Sequence, residues 1–384
     1  MEYSKIKKIN KYVSESIDPS KTPDTMFEMY SVPIYGTGHP EYLRGDEIGS
    51  NKVVVQKNDI LLCKINPRIN RVWVVADESD YPNIASSEWI VIRSPEYNPS
   101  FLAWYFRSPK FKRLMISEVT GIGGSLMRAQ PKAVAEYPVP VLSVEKQNEI
   151  VGVLDKIYGI IKSRNHQLSA LEDLIKARFV EMFGDCKINP KGWNTVELGE
   201  ISEVGSSKRV FVEDLKETGI PFYRGTEVGA LAEGKTIAPE LFIAQEHYEE
   251  LIEATGKPLV GDLLMPSICP DGRIWVVDTE EPFYFKDGRV LWVHSISKEF
   301  DPVFLLYTLK DRIMTDYSSI ASGTTFAELK IFALKQCRVF AVPMDLQKQF
   351  VSFIQQIDKS KSAIQKSLDE TQILFDSLMQ KYFG

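Results

Sequence analysis

The side chains best suited to chemistry in this sequence are cationic and hydroxylic, and they fall into two sets. The first is Arg44, Lys64, Arg68, Arg71, Ser125, Arg128 and Lys132. The second is Lys208, Arg209, Arg224, Arg273, Thr324, Thr325 and Lys330. Guanidinium and ammonium groups take phosphates and guanine edges, and hydroxyls take other polar edges and backbone. Groups of this kind bind without breaking bonds, and no bond-breaking set accompanies them. His39, His166, His247 and His294 are scattered, and Cys63, Cys186, Cys269 and Cys337 form no C-x-x-C pair, so no metal centre is read. No G-x-x-x-x-G-K-[ST] phosphate loop occurs, no F-x-G-x-G methyl-donor loop and no N-P-P-[YFW] tetrapeptide. The Asn-Pro pairs at Asn66, Asn98 and Asn189 all lack the second proline, and "TGIGGS" at 120–125 is a lone glycine-rich stretch that reads as a loop. No catalytic residue is assigned, and the chain reads as a binder.

Bulk properties limit what it binds. A net charge of −6 argues against indiscriminate nucleic-acid binding, so any such role must rest on local basic patches or on a basic partner. The chain has 384 residues, enough for two or three domains, and 44% hydrophobic content, typical of globular proteins. No apolar run reaches bilayer length, and the opening "MEYSKIKKINKYVSES" lacks a signal-peptide core. Widely spaced cysteines fit reduced thiols, and a cytoplasmic setting is expected.

The elements that must position the two sets are written twice. With Gln147 placed over Gln347, Val151 falls on Val351, Ile157 on Ile357, Leu168 on Leu368, Leu174 on Leu374 and Phe183-Gly184 on Phe383-Gly384, without a gap. Within each copy an alternating four- and three-residue step is mostly apolar. It runs through Ile150, Leu154, Ile157, Ile161, Leu168 and Leu171, and again through Phe350, Ile354, Ile357, Ile364, Leu368 and Phe375. That is the seam of a coiled coil. Arg164, Arg178 and Lys361 interrupt it, either as register-setting polar residues or, the reading favoured here, by reaching outward to solvent. Prolines precede both runs and glycines follow them, the usual start and stop signals.

The segments ahead of the helices repeat more loosely. "LRGDEIG" (43–49) pairs with "YRGTEVG" (223–229), and "DILLCKINPRINRVWVV" (59–75) with "DLLMPSICPDGRIWVV" (262–277). "NPSFLAWYF" (98–106) pairs with "DPVFLLYTL" (301–309). Arg44 and Arg224 share an R-G-x-E-[IV]-G frame, so a structural pairing with Glu47 and Glu227 competes with any ligand role. The expected fold is α+β. Two mixed α/β recognition domains are each followed by a long helix, and the helices pack as an antiparallel coiled coil with pseudo-twofold symmetry. The divisions are 1–142, 143–184, 185–342 and 343–384. Two different heads on one duplicated frame suit a partner with two different sites at fixed spacing, of which double-stranded DNA is the natural case.

The arrangement resembles the specificity (S) subunit of type I restriction–modification systems over nearly the whole chain. "YPVPVLSVEKQNEIVGVLDKIYGIIKSRNHQLSALEDLIKARFVEMFGD", its later echo, and "GIPFYRGTEVG" with the Asp-Leu-Leu strand carry the resemblance. It implies a non-catalytic subunit whose recognition domains each read half of an interrupted target, with the helices setting the unread spacer. It also implies docking to two methyltransferase subunits and, in the restricting complex, to restriction subunits. No cofactor is expected on this chain; S-adenosylmethionine belongs to the methyltransferase, and ATP and Mg to the restriction subunit. The competing interpretation is a duplicated coiled-coil scaffold whose heads bind proteins.

Overall fold

Two helices of 40 residues each, Val144–Phe183 and Met344–Phe383, organise the chain. The computed structural model describes residues 2–117, 119–120, 127–323 and 327–384. Ser125, Thr324, Thr325 and most of the "TGIGGS" stretch therefore lie outside the described residues. The chain divides into two units, Met1–His166 with Ile364–Gly384, and Gln167–Ala363. Each unit thus contains part of both long helices.

Within each unit the helices run antiparallel along the predicted seam. In the first, Ile150 and Leu154 share a core with Met379 and Phe383, and Tyr158 faces Phe375 with ring centroids 6.0 Å apart. In the second, Phe350 meets Phe183 at 5.5 Å and Phe179 at 5.6 Å, and Ile354 joins the same cluster as Ile175. These are the same contacts with the two helices exchanged. Ile150, Leu154, Ile161, Phe350, Ile354 and Ile357 are buried, whereas Ile157, Leu168, Leu171, Ile364, Leu368 and Phe375 are half-buried. A face of this kind suits helices packed on one side and wet on the other. Two of the seam cations depart from the outward-reaching expectation. Lys361 pairs across the helices with Glu172, and Arg178 lies over the Phe353 ring at 5.9 Å while bonding Glu181 at 2.7 Å.

The repeated Phe-Gly ending has a packing cause. Phe383 meets Phe101 at 5.6 Å in the first unit, and Phe183 meets Phe304 at 5.0 Å in the second. Phe101 and Phe304 occupy matching places in helices Pro99–Arg107 and Pro302–Ile320. Gly184 then turns the chain at φ +83°, a conformation that costs glycine nothing, and a Cβ there would meet Pro190 at 2.7 Å. The Trp193 indole donates to the Phe183 carbonyl at 3.0 Å and satisfies one of the free carbonyls of the helix end.

Both units also contain the same small antiparallel sheet. In the first, Ile60–Cys63 lies between Val72–Val74 and Trp89–Ile92; in the second, Leu263–Pro266 lies between Trp275–Val276 and Val290–His294, with Glu203–Gly205 at the edge. The central strands are buried along their whole length, as their unbroken apolar runs require. The accompanying sheets differ. The first unit has five strands in the order Ser16–Ile17, Lys52–Val54, Asn83–Ser86, Met26–Tyr30, Glu41–Arg44. The second has four, with helices Gly225–Ala232 and Gln245–Thr255 beside them in sequence.

Candidate nucleic-acid interface

Each small sheet opens with a buried aspartate that fixes the loops around it. Asp59 accepts from the Gln56 amide at 2.9 Å and from both ends of the Arg93 guanidinium at 2.7 Å. Asp262 accepts from the Leu259 amide at 2.8 Å and from the Trp292 indole at 2.9 Å. Burial pushes the Asp262 carboxyl up, and its hydrogen bonds and the nearby His294 pull against that. The strands carry the chain to turns at 66–70 and 269–273, which hold Arg68 and Arg273.

In the first unit the turn is built by asparagines in left-handed conformation, Asn66 at φ 45° and Asn70 at φ 53°. Asn70 Nδ2 is anchored on the Phe106 carbonyl at 3.1 Å. The turn presents Arg68 exposed to solvent, with Arg71 half-buried beside Cys63. Glu88 gathers two more of the candidates, Arg128 at 3.1 Å and Lys64 at 4.0 Å. Lys132 is exposed on the next short helix. Arg44 stands on the other sheet, where Asp24 at 2.8 Å and Asp46 at 3.3 Å take its guanidinium. Its expected partner Glu47 instead accepts the Arg44 backbone N–H at 2.7 Å and caps the following turn, which corrects the predicted side-chain pairing.

In the second unit Arg224 pairs with Glu227, as its motif suggests, and with Glu240 at 3.1 Å. Arg273 bonds Asp271 at 2.8 Å and lies over Gly229, where a Cβ would meet its guanidinium at 2.8 Å. The closing glycine of "YRGTEVG" thus makes room for the arginine of the neighbouring turn. Around the strand entry at 286–289, Asp287 holds Arg209 at 3.7 Å, and Arg289 pairs with Glu328, which also takes Lys330 at 2.9 Å. Lys330 and Arg289 hold the Glu328 carboxyl below its usual range. Lys208 is exposed, its amide bonded to the Tyr284 hydroxyl at 2.9 Å. Among the described residues Arg68, Lys132 and Lys208 make no ion pair.

The structure therefore gathers Lys64 with Arg128 around Glu88, sets Lys330 beside Arg289 on Glu328, and leaves Arg209 on Asp287 and Arg44, Arg224 and Arg273 in separate acidic settings. Glu88, Arg289 and Glu328 belong to these clusters although the sequence does not single them out. Among the described residues no group of His, Cys, Asp and Glu side chains could hold a metal ion, and no helix is long and apolar enough to cross a membrane. The four cysteines are free and buried.

Comparison with known proteins bears on this frame. Residues 190–372 match the model of the type I restriction modification DNA specificity domain. A Haemophilus influenzae relative, provisionally named a type I restriction enzyme specificity subunit, is 24% identical over 238 residues. That match covers 61% of this chain and 59% of the relative, so the chain spans about six-tenths of that protein's length. The type I restriction enzyme MjaVIII specificity subunit of Methanocaldococcus jannaschii is 21% identical over 383 residues, 90% of this chain and 86% of the relative. One similar solved chain comes from work on complex assembly and conformational transition of the type I restriction–modification system. Its TM-score is 0.56 at 19% identity, covering 100% of this chain and 97% of that one. The type I S subunit from M. genitalium gives 0.55 at 14% identity, covering 100% and 96%. By domain match, relatives and fold, the chain resembles the specificity subunits of type I restriction–modification systems.

Proposed function

We propose that this chain is the non-catalytic, sequence-reading subunit of a type I restriction–modification complex, in which each unit reads one half of an interrupted double-stranded DNA target. One observation carries the proposal. The polar frame is duplicated with the helices, through Gln147 and Gln347 and through Asp59 and Asp262, while the sheets beside it differ. A common frame with divergent heads is what two different half-sites demand. The candidate cations would supply DNA contacts, with Arg44, Arg224 and Arg273 less free to do so than Arg68, Lys132 and Lys208.

The long helices set the unread spacer and carry the docking faces for two methyltransferase subunits, with restriction subunits joining in the restricting complex. S-adenosylmethionine, ATP and Mg act on those partners, and no cofactor resides on this chain. A DNA-modifying role places the protein in the cytoplasm of a prokaryote.

Selection from a random duplex library by the chain assembled with its methyltransferase tests the proposal. Two short half-sites separated by a constant gap are expected, and a continuous site or no enrichment would contradict it. Deleting seven residues from both helices removes about 10 Å of helix and should shorten the gap by about three base pairs.

A further inference from the structure

Each unit holds one carboxylate between two cations, at the same place in its fold. In the first, Glu88 lies 3.1 Å from Arg128 and 4.0 Å from Lys64. In the second, Glu328 pairs with Arg289 and, at 2.9 Å, with Lys330. Backbone bonds establish the equivalence. Lys64 N–H donates to the Glu88 carbonyl at 3.1 Å, and Ala129 N–H to the Lys64 carbonyl at 2.9 Å. Likewise Ser267 N–H donates to the Arg289 carbonyl at 2.9 Å, and Leu329 N–H to the Ser267 carbonyl at 2.7 Å. Glu88 thus stands where Arg289 stands, and Arg128 where Glu328 stands. The ion pair is the same with its charges exchanged.

What the two units share is the charge sum. A pair that only held two strands together would need one cation, yet each site has two for its single carboxylate. The surplus is accessible, since the side chains of Arg128, Arg289 and Lys330 are 55%, 56% and 56% exposed. Glu88 Oε2 is buried and makes no hydrogen bond among the described residues, so Lys64, paired with it at 4.0 Å, is held by charge without a hydrogen bond.

We propose, on the DNA-binding reading given above, that these two clusters each take a backbone phosphate of the duplex and fix the register of their unit without reading a base. A phosphodiester carries one negative charge, which matches the surplus. Arg128 and Arg289 offer it a planar fork of N–H donors. Recognition by net charge lets acid and base trade places between the units. A base-edge contact needs a particular donor and acceptor at each point and would not tolerate the trade.

The full chain is titrated with short duplexes of several unrelated sequences across a salt series. Arg128→Ala and Arg289→Ala should each weaken every duplex alike, by about tenfold, and lower the salt slope by about one. Arg128→Lys should keep most of that slope. Glu88→Gln and Glu328→Gln should tighten binding about fivefold at low salt, a gain that misfolding cannot produce. Altered preference at one base position, or unchanged affinities while the wild-type chain binds, would overturn the inference alone. A wild-type chain that binds no duplex, alone or assembled with its methyltransferase, would overturn the DNA reading and this inference with it.

Discussion

Gln147 Oε1 accepts the backbone N–H of Asn98 at 2.8 Å and ties the first turns of a 40-residue helix to the cap of helix Pro99–Arg107. Its Nε2 donates to the Leu142 carbonyl at 2.9 Å, so one buried side chain closes the junction from both sides. Gln347 repeats the arrangement on Asp301 at 2.8 Å and Val342 at 2.7 Å, and adds Glu299 at 2.9 Å. Asn98 and Asp301 cap their helices through Oδ1, ahead of a proline in the first turn.

Replacing either glutamine by leucine strands buried backbone groups that cost roughly 1–3 kcal/mol each. Gln347→Leu, which loses three bonds, should destabilise more than Gln147→Leu, which loses two. Denaturant unfolding gives the ranking. Hydrogen exchange at the Asn98 and Asp301 amides should show each loss confined to its own unit, and equal, negligible effects would refute the locking role.

Arg93 makes two bonds to Asp59, whose side chain is fully buried. Arg93→Ala leaves a buried carboxylate without its counter-charge and should cost about 3–5 kcal/mol. Arg93→Lys should recover only part of this, because an ammonium cannot present the same parallel fork. Full recovery by lysine, measured by thermal unfolding, would show that the site needs charge alone.

Acid should weaken the second unit through Glu227. Burial works to raise its pKa, but hydrogen bonds from Arg224, Thr226 and the backbone bring it down to about 2 from an ordinary 4.5. A depressed folded-state pKa contributes stability above the unfolded value and loses it as pH falls through the folded one. The contribution, on the order of 3 kcal/mol, is therefore complete above about pH 4.5 and gone near pH 2. Glu227→Gln should destabilise at pH 7 and approach the parent's stability at low pH. A difference that persists at pH 2 would place the effect elsewhere.

Much of the fold is legible because its signals are local and repeated. The helix seam shows in the spacing of Ile150, Leu154 and their counterparts. The strand after Asp59 shows in the run Ile-Leu-Leu-Cys. The role of Gln147 was not legible, although that residue anchors the repeat. A buried glutamine has no periodicity of its own, and its partners lie 49 and 5 residues away. The useful signal was a polar residue held in register in both halves, which applies equally to Asp59 and Asp262. The charge clusters were harder to find, because Glu88 and Arg128 exchange their charges with Arg289 and Glu328. A residue-by-residue repeat search treats that exchange as divergence, and only the backbone pairing reveals it.

The central claim is that each unit reads its own half-site. Its most direct measurement is a map of methylated adenines in DNA modified by the chain with its methyltransferase, before and after residues 190–342 are replaced by the matching segment of another family member. The account predicts an interrupted target of which one half changes and the other stays. Both halves changing together, or neither changing, would contradict it.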